Sequence, residues 1–100
     1  MALVIRWSPK AARQFGGIVE YIALDSDRYA KIFARQIMRV VRAIPAHPMA
    51  GRMVPEYGDP NLRERIHHGY RIVYRLAPET IEIVAICHGS RLIEGVLRED

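Results

Sequence analysis

One hundred residues, half of them hydrophobic, are enough for one compact domain around one core and too few for two. Fifteen Lys and Arg against eleven Asp and Glu leave a formal charge of +4, and every cation except Lys10 and Lys31 is an arginine, whose planar fork favours carboxylate or phosphate and so an acidic partner. The single cysteine, Cys87, excludes an internal disulfide framework and fits a reducing compartment, and the absence of repeats or low-complexity tracts excludes a solenoid.

The opening MALVIRW is apolar for too few residues to be a signal-peptide core or a membrane span, so a cytoplasmic protein is expected. Ala2 to Trp7 reads as a strand with Leu3, Ile5 and Trp7 on one face. Ser8 then offers an N-cap and Pro9 a first helical residue, which predicts a helix from Pro9 to about Leu24 with Ala12, Phe15, Ile18 (or Val19) and Ile22 along its apolar stripe. Gly16-Gly17 weaken this helix by roughly 1 kcal/mol each relative to alanine, and imply close packing against a neighbour or a local kink. Asp25-Ser26-Asp27 turns the chain into a second helix, buried along Tyr29, Phe33, Ile37, Val40 or Val41, and Ile44, and ended by Pro45. So short a turn makes the two helices an antiparallel hairpin. The outer side of the second carries Arg28, Lys31, Arg35, Arg39 and Arg42 in one line, which reads either as a solvated face or as a track for nucleic-acid phosphates.

Pro45 to Pro60, with four prolines and two glycines, reads as an extended connection that crosses the sheet without regular structure, tacked down by Met49, Met53, Val54 and Tyr57. Asn61 to Arg91 reads as three antiparallel strands. The fold class is therefore α+β: an N-terminal strand, a helix hairpin and a three-stranded meander in one sheet (β-α-α-β-β-β), then a short C-terminal segment. A three-residue turn at His67-His68-Gly69 sets Ile66 opposite Tyr70 and Arg65 opposite Arg71, and a turn at Pro78-Glu79 sets Leu76 opposite Ile81 and Tyr74 opposite Ile83. One face then holds Leu62, Ile66, Tyr70, Ile72, Tyr74, Leu76, Ile81, Ile83, Ala85 and Cys87 for the helices to cover. The other holds Arg63, Arg65, Arg71, Val73, Arg75, Glu82, Val84, Ile86 and His88. Glu64 falls among the core positions and needs a partner there. Val84 and Ile86 stand exposed among arginines, awaiting either a partner or the C-terminal Leu92, Ile93, Val96 and Leu97.

Cys87, with only His88 beside it, lacks an activating arrangement for nucleophilic catalysis. His67, His68 and His88 are conceivable metal ligands, but a His-His pair in a turn is more simply solvated, so no metal or cofactor is expected. Arg63, Arg65, Arg71 and Arg91, with His67 or His88, form the set that metal-free RNA cleavage needs, the arginines stabilising a pentavalent phosphorane while histidine moves a proton. The same arginines equally fit pairing with Glu64 and Glu82, or docking of an acidic protein, and the residues alone leave these open.

The segments WSPKAARQFGGIVEYIA, HPMAGRMVPEYGDPNLRERI and GYRIVYR followed by IEIVAICHGSR, in that order and spacing, resemble the RelE/ParE toxin superfamily of type II toxin–antitoxin systems over nearly the whole chain. The similarity is greatest to the ParE (plasmid stabilisation) branch. The resemblance implies the fold read above and two candidate activities. RelE-like members cut messenger RNA on the ribosome with basic residues at the positions of Arg63, Arg65, Arg71 and Arg91, and with a tyrosine a few residues later; here Leu97 stands nearest, and no tyrosine follows Tyr74. ParE-like members lack that set and poison DNA gyrase, and the ending His88-Gly89-x-Arg91 is similar to theirs. The expectation is a ParE-like toxin that inhibits gyrase by binding and is not an enzyme; the alternatives are a ribosome-dependent endoribonuclease and a non-toxic binding or autoregulatory module. The resemblance also implies a cognate antitoxin whose acidic segment folds onto Arg63, Arg65, Arg71, Arg75, Val84, Ile86, His88 and Arg91. Operator DNA would be reached only through that antitoxin, and no membrane is involved.

Overall fold

The structure, a computed structural model, describes residues 3–98. Its elements are β1 (Val4–Trp7), α1 (Pro9–Asp25), α2 (Asp27–Ala43), a 3-10 turn (Ile44–Ala46), β2 (Arg52–Met53), β3 (Leu62–His67), β4 (Tyr70–Leu76), β5 (Thr80–His88) and α3 (Ile93–Arg98). The strands form one sheet in the order β1-β5-β4-β3-β2, with β1 parallel to β5 and the other pairs antiparallel. This is the expected α+β architecture with one addition: β2 lies inside the proline-rich connection that reads in sequence as irregular, and pairs at the sheet edge.

Two serines set the helix hairpin. The Ser8 hydroxyl accepts the Ala11 N–H at 3.0 Å, capping α1, and Pro9 follows where its missing N–H is harmless. Ser26 ends α1 by donating its own N–H to Ile22 O at 2.9 Å, and begins α2 by accepting the Tyr29 N–H on its hydroxyl at 3.1 Å. One residue thus closes one helix and opens the next, which keeps the two antiparallel. α1 is continuous through Gly16 and Gly17, and a methyl at either would meet nothing within 4 Å, so close packing is not their role.

The helix hairpin covers one face of the sheet, where Ala11, Phe33, Ile37 and Val41 pack on Ile72, Tyr74, Ile81, Ile83 and Ile86. On the opposite face Ile93 and Val96 of α3 pack on Leu62, Val73, Ala85 and Cys87, together with Val54 from the connection. Of the four residues expected to tack the connection down, only Val54 is buried; Met49, Met53 and Tyr57 are exposed. Among the described residues no helix is long and apolar enough to cross a membrane.

Two local events redistribute side chains between the faces. The β3–β4 turn has two residues, not three: His68 and Gly69 both take positive φ, 47° and 83°, so His67 pairs with Tyr70 and Ile66 with Arg71. A slip of one residue turns over every side chain of the strand. Ile66 is consequently exposed, Leu62 and Glu64 join Arg71 beneath α3, and Arg63, Arg65 and His67 move to the helix side. The β4–β5 hairpin keeps the expected pairs as far as Tyr74 with Ile83, then Val73 pairs with Ala85, leaving Val84 as an extra residue. This bulge reverses the alternation. Ile86, expected to be exposed, is 1% accessible under the helices, while Ala85 and Cys87 face α3 and Val84 is half-buried in the same cluster. The exposed apolar pair Val84 and Ile86 therefore does not exist. The Ile86 N–H, lying past the end of β1, donates instead to Gln14 Oε1 at 3.0 Å.

Candidate partner-binding surface

An irregular connection leaves backbone carbonyls that no ladder satisfies, and each needs a donor. The arginines of the sheet supply them. Arg63 donates from Nε to Pro60 O at 2.8 Å and from Nη1 to Gly51 O at 3.1 Å and Met49 O at 3.4 Å. Arg65 Nη2 donates to His47 O at 3.3 Å, and Arg75 Nη1 lies 3.8 Å from Asp59 Oδ2. The buried Tyr74 hydroxyl adds a bond to Pro48 O at 2.8 Å. The connection lies so close here that a Cβ on Gly51 would come within 2.8 Å of Glu64 O and closer still to the Tyr74 hydroxyl.

Arg71 is the centre of a buried ion-pair network under α3. Its Nε donates to Glu64 Oε1 at 2.6 Å, and its Nη1 and Nη2 donate to the two oxygens of Glu56 at 2.8 and 2.9 Å. Nη1 also reaches Arg91 O at 3.0 Å, and Glu56 accepts the Ile93 N–H at 3.0 Å, so the network fastens the start of α3 to the connection. Arg52 Nε donates to the remaining oxygen of Glu64. Arg71 is 4% and Glu64 1% exposed, and two buried charges persist there only because each is paired. The hydrogen bonds from Arg71 hold the Glu56 carboxyl down at about 2, and the same bonds raise the pKa of the Arg71 guanidinium. Nothing in the sequence marks Glu56 as a partner of Arg71 or Arg52 as a partner of Glu64; the one legible signal was Glu64 at a core position.

The arginines expected to act together are thus divided. Arg71 and Arg75 lie on the α3 side, Arg63 and Arg65 on the helix side, and all four bond to the connection. An open groove of about 370 Å³ lies between α1 and the end of β5, lined among others by Gly17, Ile18, Tyr21, Tyr70, His88 and Arg91. His88 Nδ1 accepts the Ser90 N–H at 3.3 Å, lies 2.8 Å from Ser90 Oγ, and its ring meets Tyr70 edge-on with centroids 5.7 Å apart. Of the expected site residues, His88 and Arg91 share this groove with the buried Ile86. His67 does not line it: its Nε2 lies 3.2 Å from Gln36 Oε1 on α2, and burial, with help from the adjacent His68, lowers its pKa. Burial raises the pKa of the Cys87 thiol, which keeps it a poor nucleophile.

A family model described as ParE toxin of type II toxin-antitoxin system, parDE, matches residues 5–93. No curated protein sequence matches the chain. Among solved structures it is similar to the chromosomal ParDE toxin–antitoxin system from P. aeruginosa, with a TM-score of 0.72 and 20% identity over 87% of this chain and 96% of that one. It is also similar to the toxin–antitoxin complex RelBE2 from Mycobacterium tuberculosis (TM-score 0.64, 14% identity, 88% and 99% covered). A mutant of the E. coli toxin RelE in the free state gives a TM-score of 0.66 at 13% identity, with 96% and 90% covered. At such identities these structures share its fold.

Proposed function

The chain belongs to the ParE toxin family of type II toxin–antitoxin systems, and from that premise we propose that it inhibits DNA gyrase by binding, catalyses no reaction, and is neutralised by a cognate antitoxin. The observation that carries this reading is the fate of Arg71. A guanidinium that stabilises a transition state must be open to substrate. Arg71 is closed in by two carboxylates and a carbonyl, while Arg63 and Arg65 hold carbonyls on the other side of the sheet. A concavity that combines these arginines with a histidine is not assembled, which supports binding over RNA cleavage.

The groove between α1 and β5 suits the antitoxin. Its apolar lining of Ile18, Tyr21 and Tyr70, with His88 and Arg91 at hand, fits an amphipathic segment with acidic flanks that orders on docking. Incubating the full chain with gyrase and relaxed plasmid tests the target: loss of supercoiling or a trapped cleavage complex is expected. Unchanged supercoiling at toxin well above stoichiometric overturns the gyrase reading. Transcript cleavage in a translation extract would then assign a ribonuclease, and intact growth on induction would assign a non-toxic binding module.

A further inference from the structure

One row of charge plays no part in the fold or in the groove. Arg28, Lys31, Arg35, Arg39 and Arg42 of α2 are all exposed, and at 3.6 residues per turn they fall within an arc of about 80° opposite the buried Phe33, Ile37 and Val41. The rise of a helix makes the row about 21 Å long. Lys31 lies 3.5 Å from Asp27, but the four arginines have no hydrogen-bond or ion-pair partner among the described residues. No acidic residue occurs between Asp27 and Glu56. Arg35, Arg39 and Arg42 also rim a shallow hollow of about 350 Å³ floored by Ala34 and Met38.

We propose that this outer face of α2 binds the phosphate backbone of duplex DNA, without sequence preference, so that the toxin itself contacts DNA rather than reaching it only through an antitoxin. A rigid, straight row of this length runs beside about six base pairs, each rising 3.4 Å, and arginine forks grip phosphate oxygens in pairs. A single strand is a poorer fit, because such sites stack bases on aromatic rings, and Tyr29 and Phe33 project from other sides of the helix. An acidic protein segment needs apolar anchors beside the charge, and the row offers only Ala34 and Met38, whereas the α1–β5 groove presents Ile18, Tyr21 and Tyr70.

The test is independent of gyrase. The purified full chain is titrated into a fluorescent random-sequence duplex at several salt concentrations; a slope of log affinity against log salt of about −4 is expected from four or five phosphate contacts. Arg35→Gln with Arg39→Gln should flatten the slope by about 2 and weaken binding roughly tenfold at low salt. Arg6→Glu makes the same change in net charge from the opposite face of the sheet and should leave the slope unchanged. If the double variant binds like the parent, or Arg6→Glu weakens binding as much, the row is not the site. Equal or tighter binding of a single strand of the same length also overturns the proposal. A thermal melt of each variant confirms that the fold is kept, so that lost binding reads the surface and not unfolding.

Discussion

Arg63, Arg65, Arg71 and Arg75 on the sheet end on carbonyls and carboxylates of their own chain, whereas Arg28, Arg35, Arg39 and Arg42 on α2 end in solvent. The side chain is the same, and what differs is the backbone nearby. β3 and β4 run beside an irregular connection full of unsatisfied acceptors and holding Glu56 and Asp59; α2 has satisfied its own carbonyls, and no acid follows Asp27 along it. Arginine beside irregular backbone is therefore a structural residue here, and arginine on a finished helix is the one left for a partner.

The comparison breaks most easily at Arg71. Arg71→Met leaves Glu56 without its cation and Glu64 with Arg52 alone under α3, and should cost about 3–5 kcal/mol in urea unfolding. A loss below about 1 kcal/mol would mean that the network does not hold the fold. The same network predicts acid sensitivity. Glu56 titrates at about 2 in the folded protein against an ordinary 4.5, so unfolding takes up a proton; its stabilisation is present above pH 4.5 and is lost as the pH falls towards 2. His67, whose folded pKa lies below its ordinary 6.5, adds a loss that begins as the pH drops through 6.5, because the unfolded chain protonates first. Glu56→Gln should remove the lower step in a series of melts and leave the upper one. Next in size is Gly51→Ala, which forces a methyl against the backbone of Glu64 and the Tyr74 hydroxyl and should lose about 1–3 kcal/mol, whereas Gly17→Ala meets open space and should gain up to about 1 kcal/mol of helix stability.

The helices, their caps and the β4–β5 turn were legible because each has a local cause: Ser8-Pro9, Ser26, and apolar spacing along Phe33, Ile37 and Val41. The sheet faces were legible only in part. A His-Gly turn with both residues left-handed lacks the usual Asn-Gly sign, and the Val84 bulge leaves no mark in a run of β-branched residues. Glu64 held the missing information. If it must be buried and paired with Arg71, both belong on one face, where the two-residue turn places them and a three-residue turn does not. The site suffered from both misses, since the turn put Arg63, Arg65 and Arg71 on one surface and the overlooked bulge brought Ile86 into view.

The smallest effect sharpens the comparison from the other side. Arg39 touches no acid and stands four residues from Arg35 and three from Arg42, positions that face each other on a helix. Like charges at these spacings destabilise a helix by about 0.2–0.5 kcal/mol a pair, so Arg39→Gln should stabilise the free protein slightly, by no more than about 1 kcal/mol, and the gain should fade in high salt. A loss of stability would show that Arg39 has an internal role like that of Arg71. A gain that salt abolishes would show the row to be under its own repulsion in the free toxin, a strain that a line of phosphates would relieve on binding.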